Sequence, residues 1–163
     1  MNIKRRKSKV IKIGNIYIGG DYPVAIQSMT KTDTSCIDAT IKQIAELEKE
    51  GCEIVRLAIK KPEDAAALRE IKKAVKIPIV ADIHFNWRLS LEAIDFGAHK
   101  IRLNPGNIFR QNEVKEIITA LKIAKLPLRI GLNSGSVKGF NSRALTPAER
   151  LVKSALEYIR KVQ

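Results

Sequence analysis

Apolar and polar positions follow two different periods along this chain. Residues 8–19, SKVIKIGNIYIG, hold two alternating apolar runs joined by Gly14-Asn15. Both turn residues tolerate positive φ, so the segment predicts a two-residue β-hairpin. From Pro23 onward a short apolar run is followed, repeatedly, by a stretch with helical spacing. The run PVAIQSM precedes a helix near residues 36–50, where Ile37, Ile41, Ile44, Ala45 and Leu47 share one face. Ser35 with Asp38 reads as its cap, and Gly51 as its stop. EIVRLAI (53–59) leads to a helix over 62–75 opened by Pro62. IPIVAD (77–82) leads to a helix over 87–96 ended by Gly97, and HKIRLN (99–104) to one over 111–124 with Asn112 as cap. PLRIGLN (127–133) leads to a helix over 147–162, where Thr146-Pro147-Ala148-Glu149 combines an N-cap, a first-turn proline and a capping-box glutamate.

Short apolar strands alternating with amphipathic helices predict an α/β fold with parallel strands and right-handed crossovers. A doubly wound dinucleotide sheet asks for a glycine-rich turn after its first strand. The turn here, Ser28 to Thr34, contains no glycine. The pattern therefore points to a TIM (βα)8-type barrel, with the hairpin closing its bottom. A complete barrel uses eight units in about 250 residues. About five units in 163 residues predict an incomplete barrel: a hairpin over 1–20 and a partial barrel over 21–163.

With 45% hydrophobic and 29% charged residues, the composition is that of one ordinary globular domain. Two cysteines, Cys36 and Cys52, are too few for a disulfide framework or a metal site. Cys52 lies among apolar residues and reads as a small buried hydrophobe. A reducing cytoplasm fits both. No apolar run approaches a membrane span, and no signal-peptide core follows the basic start MNIKRRKSKV. The net charge of +13 raises nucleic-acid binding. Most lysines, however, fall on polar helix faces, and 5% aromatic residues supply no stacking platform. Neither nucleic acid nor membrane is expected as a partner.

Ligands of either βα architecture bind beyond the carboxyl ends of the strands. Polar groups gather there in every unit: Gln27, Ser28, Thr30, Thr32, Asp33 and Thr34; Arg56; Asp82 and His84; Arg102, Asn104 and Asn107; Arg129, Asn133, Ser134 and Ser136. Arg56, Arg102 and Arg129 occupy corresponding strands with apolar neighbours, in IVRLA, KIRLN and PLRIG. A buried guanidinium needs a partner. Asp82 and Glu53 are candidate internal partners, but three arginines exceed the carboxylates nearby. Their planar forks suit phosphate oxygens, so a phosphorylated ligand is expected. Asp82-x-His84 alone holds too few donors for a metal. Asn104-Pro105-Gly106-Asn107 is also a plain turn sequence. The NSGSVKG loop, with Gly135 and Gly139, has the composition to present backbone N–H groups to an anion.

Five stretches in order, VAIQSMTKTDT (24–34), GCEIVRLAI (51–59), PIVADIHFNWRLSLEAI (78–94), KIRLNPGNI (100–108) and RIGLNSGS (129–136), resemble the 4-hydroxy-3-methylbut-2-enyl diphosphate synthase family of isoprenoid biosynthesis. In that family a barrel binds 2-C-methyl-D-erythritol 2,4-cyclodiphosphate. A [4Fe–4S] cluster on a separate C-terminal region delivers two electrons for ring opening and loss of water. The resemblance implies that Arg56, Arg102 and Arg129 hold the diphosphate and that Asp82, His84, Asn104 and Asn133 line the same mouth. It implies reduced ferredoxin or flavodoxin as electron donor for the full enzyme. The family's cluster ligands, three cysteines and a glutamate, have no counterpart here, because Cys36 and Cys52 fall at other positions. No iron–sulfur cluster, no metal site and no catalysis are therefore expected of this portion alone, and no catalytic acid or base is identified.

Two other readings remain: a non-catalytic anion-binding half-barrel, and a pterin enzyme resembling dihydropteroate synthase. An incomplete barrel also leaves edge strands able to pair, so a homo-oligomer is expected.

Overall fold

The computed structural model describes residues 6–137 and 145–163. β1 (Ile11–Ile13) and β2 (Ile16–Ile18) form the antiparallel hairpin, with Ile13 opposite Ile16 and Gly14 at φ +59° in the two-residue turn. Five βα units follow. β3 (Gln27–Met29) leads to α1 (Ile37–Lys49), and β4 (Ile54–Ile59) to α2 (Pro62–Ala74). β5 (Ile79–Ile83) leads to α3 (Arg88–Asp95), and β6 (Lys100–Leu103) to α4 (Gln111–Ala124). β7 (Leu128–Ile130) leads through a 3-10 turn at Ser134–Ser136 to α5 (Pro147–Val162).

The five strands pair in the order β3-β4-β5-β6-β7, every pair parallel. A doubly wound sheet reverses its strand order at a switch point. This order never reverses, as in the wall of a βα barrel. Among the described residues β3 and β7 are the edges of that wall.

Alternation along the strands divides the side chains cleanly. Val55, Leu57, Ile59, Ile79, Ala81, Ile83, Ile101 and Leu103 face the helices and pack against residues such as Ile44, Leu68, Ile71, Leu89, Val114 and Ile117. Each buried Val, Leu or Ile among them contributes about 1.5–3 kcal/mol by leaving water. The other face, toward the barrel lumen, carries Ile54, Arg56 and Ala58, then Val80 and Asp82, then Lys100 and Arg102, then Arg129. Only its lower end is an apolar cluster: Ile54 and Val80 join Ile13, with Ile16, Ile18 and Ala25 around them. The hairpin thus covers the amino ends of the strands. Its turn is tight against them, since a Cβ on Gly14 would stand 2.9 Å from Pro78 Cγ and 3.0 Å from His99 Cδ2.

Two expected caps differ in the structure. Cys36, with no side-chain hydrogen bond, occupies the cap position of α1. The Ser35 N–H instead donates to buried Asp64, whose carboxylate also accepts the Lys60 and Lys61 N–H groups at 3.0 and 3.3 Å. Asp64 thereby satisfies the start of α2 and ties it to the loop before α1. In α4 the extended Arg110 (φ −69°, ψ 134°) is the cap, so Asn112 already lies within the first turn. The Thr146–Glu149 capping box of α5 forms as expected, with the Thr146 N–H donating to Glu149 Oε2 at 2.7 Å.

At the barrel bottom, the Ile79 N–H donates to His99 Nδ1 at 3.0 Å, a bond that needs this nitrogen unprotonated. Burial, then the charge of Lys72, holds the His99 pKa below its ordinary 6.5. A depressed imidazole contributes stability that is present above its unfolded pKa and lost as pH falls through the folded one. The melting temperature should therefore drop between about pH 7 and about pH 5. A His99→Gln variant, followed by thermal unfolding at each pH, should lose part of that slope. Parallel profiles would contradict the assignment.

Candidate anion-binding site

Strand register sorts the polar lumenal side chains into two tiers. Met29, Arg56, Val80 and Lys100 are lateral neighbours in the lower row. Ala58, Asp82, Arg102 and Arg129 form the upper row. Two residues along a strand separate the rows by about 6.6 Å. The three arginines, which occupy corresponding strands, are therefore split, with Arg56 one tier below Arg102 and Arg129. They also stand within the strands, beneath the mouth.

Asp82 organises the site. Its side chain is 4% exposed and meets Arg102 Nη1 at 2.7 Å through Oδ1 and Arg56 Nε at 3.5 Å through Oδ2. Arg102 Nη2 donates to the Gly131 carbonyl oxygen at 2.7 Å. Gly131 has to be glycine for this: a Cβ there would collide with Arg102 Nε and lie 3.0 Å from its Cζ. Arg56 Nε also contacts Met29 Sδ at 3.1 Å. Glu53, the other expected partner, accepts the Ile26 N–H at 2.8 Å and serves no arginine. Its position just before β4 puts its carboxylate beside the β3 backbone and away from the lumen.

Among the described residues Arg56, Lys100, Arg102 and Arg129 thus share a face on which Asp82 is the carboxylate, four cations against one anion. Arg129 is exposed and forms no ion pair with a described carboxylate. Burial pushes the Arg56 pKa down, Asp82 pulls it up, and the charges of Arg129 and Arg102 push it down again. Like charges held this close leave an excess positive potential that favours an incoming anion.

The mouth above is built from turns. Asn104 Oδ1 accepts the Gly106 N–H at 3.0 Å, and its backbone oxygen accepts from Asn107 and Ile108. Its side chain shapes the β6–α4 turn. Asn107 Nδ2 donates to the His84 carbonyl oxygen at 2.7 Å, locking that turn to the β5–α3 loop. His84 Nε2 and Thr30 Oγ1 are buried with no hydrogen-bond partner among the described residues. Buried orphans of this kind call for an explanation, and a ligand is one. Asn133 is exposed beyond β7. Gly139 of the NSGSVKG loop lies outside the described residues.

Lys100 escaped the sequence reading. Its signal was present: it stands two residues before Arg102, and a period of two puts both on one face. Among the described residues no three His, Cys, Asp or Glu side chains converge on a metal position. Cys36 is exposed, while Cys52 is buried with its Sγ donating to the Ile54 carbonyl oxygen at 3.1 Å. These residues do not fit an iron–sulfur cluster, and no step is assigned through one. No helix among the described residues is long and apolar enough to cross a membrane.

Wall, plug and cationic lumen define a βα-barrel protein with a candidate anion site on the lumenal face. The family model described as the GcpE TIM-barrel domain matches residues 8–163, and the chain belongs to that family. It is 51% identical over 158 residues to a 4-hydroxy-3-methylbut-2-en-1-yl diphosphate synthase (flavodoxin) of Dehalococcoides mccartyi, covering 97% of this chain and 45% of the relative. A protein of the same name from Thermodesulfovibrio yellowstonii is 55% identical over 135 residues, covering 83% and 39%. The chain thus spans less than half the length of these curated relatives. Among solved structures, dihydropteroate synthase from Vibrio fischeri superposes with a TM-score of 0.63 at 15% identity, covering 95% of this chain and 60% of that one. A mandelate oxidase gives 0.53 at 12% identity. Both likenesses concern the fold alone.

Asp82→Asn would leave two lumenal guanidinium groups without their counter-charge. Removing one partner of a buried pair costs about 3–5 kcal/mol. Denaturant unfolding should register a loss of that order; a change near zero would contradict the hub assignment.

Proposed function

We propose that this chain is the substrate-binding portion of a 4-hydroxy-3-methylbut-2-en-1-yl diphosphate synthase and that its lumen takes the diphosphate of 2-C-methyl-D-erythritol 2,4-cyclodiphosphate. The observation that carries the reading is the lumenal excess of four cations over one carboxylate. Asp82 and the Gly131 carbonyl group fix the Arg102 fork before a ligand arrives, so little side-chain entropy is lost on binding. Arg56, steadied by Asp82 and Met29, presents its remaining N–H groups beside it. Arg129 has no competing carboxylate among the described residues and is free to meet phosphate oxygens. His84, Asn104 and Asn133 shape the mouth above. Held by its charged end, the substrate would project its carbon ring out of the lumen.

The two-electron ring opening and loss of water are assigned to no residue of this chain. In this reading a [4Fe–4S] cluster and a reductant, flavodoxin or ferredoxin, complete the reaction with groups beyond those described, in the cytoplasm. The chain alone binds without turnover. The pterin alternative rests on a fold likeness at 15% identity and has no site residue behind it.

Calorimetric titration tests the reading. The chain should bind the cyclodiphosphate and inorganic pyrophosphate, and Arg129→Ala should weaken both by about 10-fold, the worth of one charge-assisted hydrogen bond. Arg129 has no described carboxylate partner to orphan, so this variant should fold. Unchanged affinity, or binding of a pterin with no response to either diphosphate, would contradict the reading. We also propose self-association through the edges β3 and β7, supported by exposed Val24 and Ile26 beside β3 and by Val152 and Leu156 on α5. Light scattering at micromolar concentration should report a dimer or larger; a clean monomer would count against it.

A further inference from the structure

We infer that Lys100 is a fourth anion-binding group, one that meets the inner phosphoryl group of a diphosphate from the floor of the barrel. The inference rests on the anion-binding reading above and adds a residue, a depth and a ligand preference to it.

Lys100 opens β6 on the same face as Arg102 and lies beside Val80 in the lower tier. It is 8% exposed, and it is the lysine that the fold buries among the described residues. A lysine normally carries its ammonium out to water on a flexible stem. This one starts from the tier below Arg102 and Arg129, beside a floor that offers no acceptor side chain. Val80 beside it belongs to the apolar cluster of Ile13 and Ile54, with Ile16 and Ile18 of the hairpin around them. The Lys100 side chain forms no hydrogen bond or ion pair with a described residue. Asp82 is already engaged by Arg56 and Arg102.

The stem is buried while the ammonium reaches lumenal solvent, and with no protein acceptor beside it that charge stays available to an anion brought from outside. Burial, then the charge of Arg129, hold the Lys100 pKa below that of an ordinary lysine. The repulsion between these like charges is relieved when an anion arrives. The two tiers also decide the kind of anion. One phosphoryl group satisfies the upper arginines and leaves Lys100 bare. Two linked phosphoryl groups reach both tiers. The pocket is therefore built for a diphosphate in preference to a monophosphate, and Lys100 supplies the difference.

The test compares the full 163-residue chain with its Lys100→Met variant, which keeps the apolar stem and removes the charge. Calorimetry with inorganic pyrophosphate and with inorganic phosphate is run beside thermal unfolding of the anion-free proteins. The variant should bind pyrophosphate at least about 10-fold more weakly, with a much smaller change for phosphate. Without anion its melting temperature should stay level or rise, because no ion pair is lost and a like-charge contact with Arg129 is gone. Unchanged pyrophosphate affinity in Lys100→Met, alongside weakened affinity in Arg129→Ala, overturns this inference and leaves the anion site standing. A fall in anion-free melting temperature also overturns it, since it would mean that Lys100 serves an internal ion pair. A native chain that ignores pyrophosphate altogether overturns the anion site and this inference together.

Discussion

Asp82 sits inside the barrel wall between two guanidinium groups, 2.7 Å from Arg102 and 3.5 Å from Arg56, and the charged half of the lumen is arranged around it. One carboxylate can steady two arginines, but it cannot neutralise the four cations on this face. What it supplies is geometry: Arg102 is pinned to Asp82 on one side and to the Gly131 carbonyl group on the other, and glycine at 131 leaves room for the side chain to lie there. The surplus charge remains for a ligand. Desolvation makes that surplus expensive in the free protein and effective in the complex, because both follow from the same low dielectric.

The remainder of the fold holds this arrangement in register. Helix-facing positions of the strands are filled with Val, Leu and Ile against α1 to α4, which fixes each strand's rotation about its own axis. With one face fixed, a one-residue slip would move Arg56, Asp82 and Arg102 into the apolar core. The hairpin performs the matching task at the bottom. Ile13, Ile16 and Ile18 cover the amino ends of the strands, so the charged tiers stand above an apolar floor. Lys100 lies at the junction of plug and charge.

Strand and helix order was readable because the apolar period changes sharply between the runs, and glycines 51 and 97 mark helix ends with φ of +89° and +93°. Helix caps were less readable. Ser35 looked like a cap by local spacing, whereas Asp64, 29 residues away in the chain, claims its N–H through the packing of α2. The arginines were found because cations in apolar strands are unusual, but their tiers depend on strand register, which a single sequence does not carry. Arg56 pairs laterally with Val80 and Arg102 with Asp82, and this offset separates two arginines that look equivalent in the sequence. Lys100 was hidden among abundant lysines on helix surfaces, although its spacing from Arg102 placed it in the lumen. Asn104 stands at the top of β6, where its Oδ1 accepts the Gly106 N–H and shapes the turn.

The most direct test of the central claim is a crystal structure of the chain grown with inorganic pyrophosphate. Both phosphoryl groups should lie within the lumen, the outer one against Arg102 and Arg129 and the inner one toward Arg56 and Lys100, with Asp82 still bridging its two arginines. Pyrophosphate found only on surface lysines, with the lumen holding solvent, would contradict it.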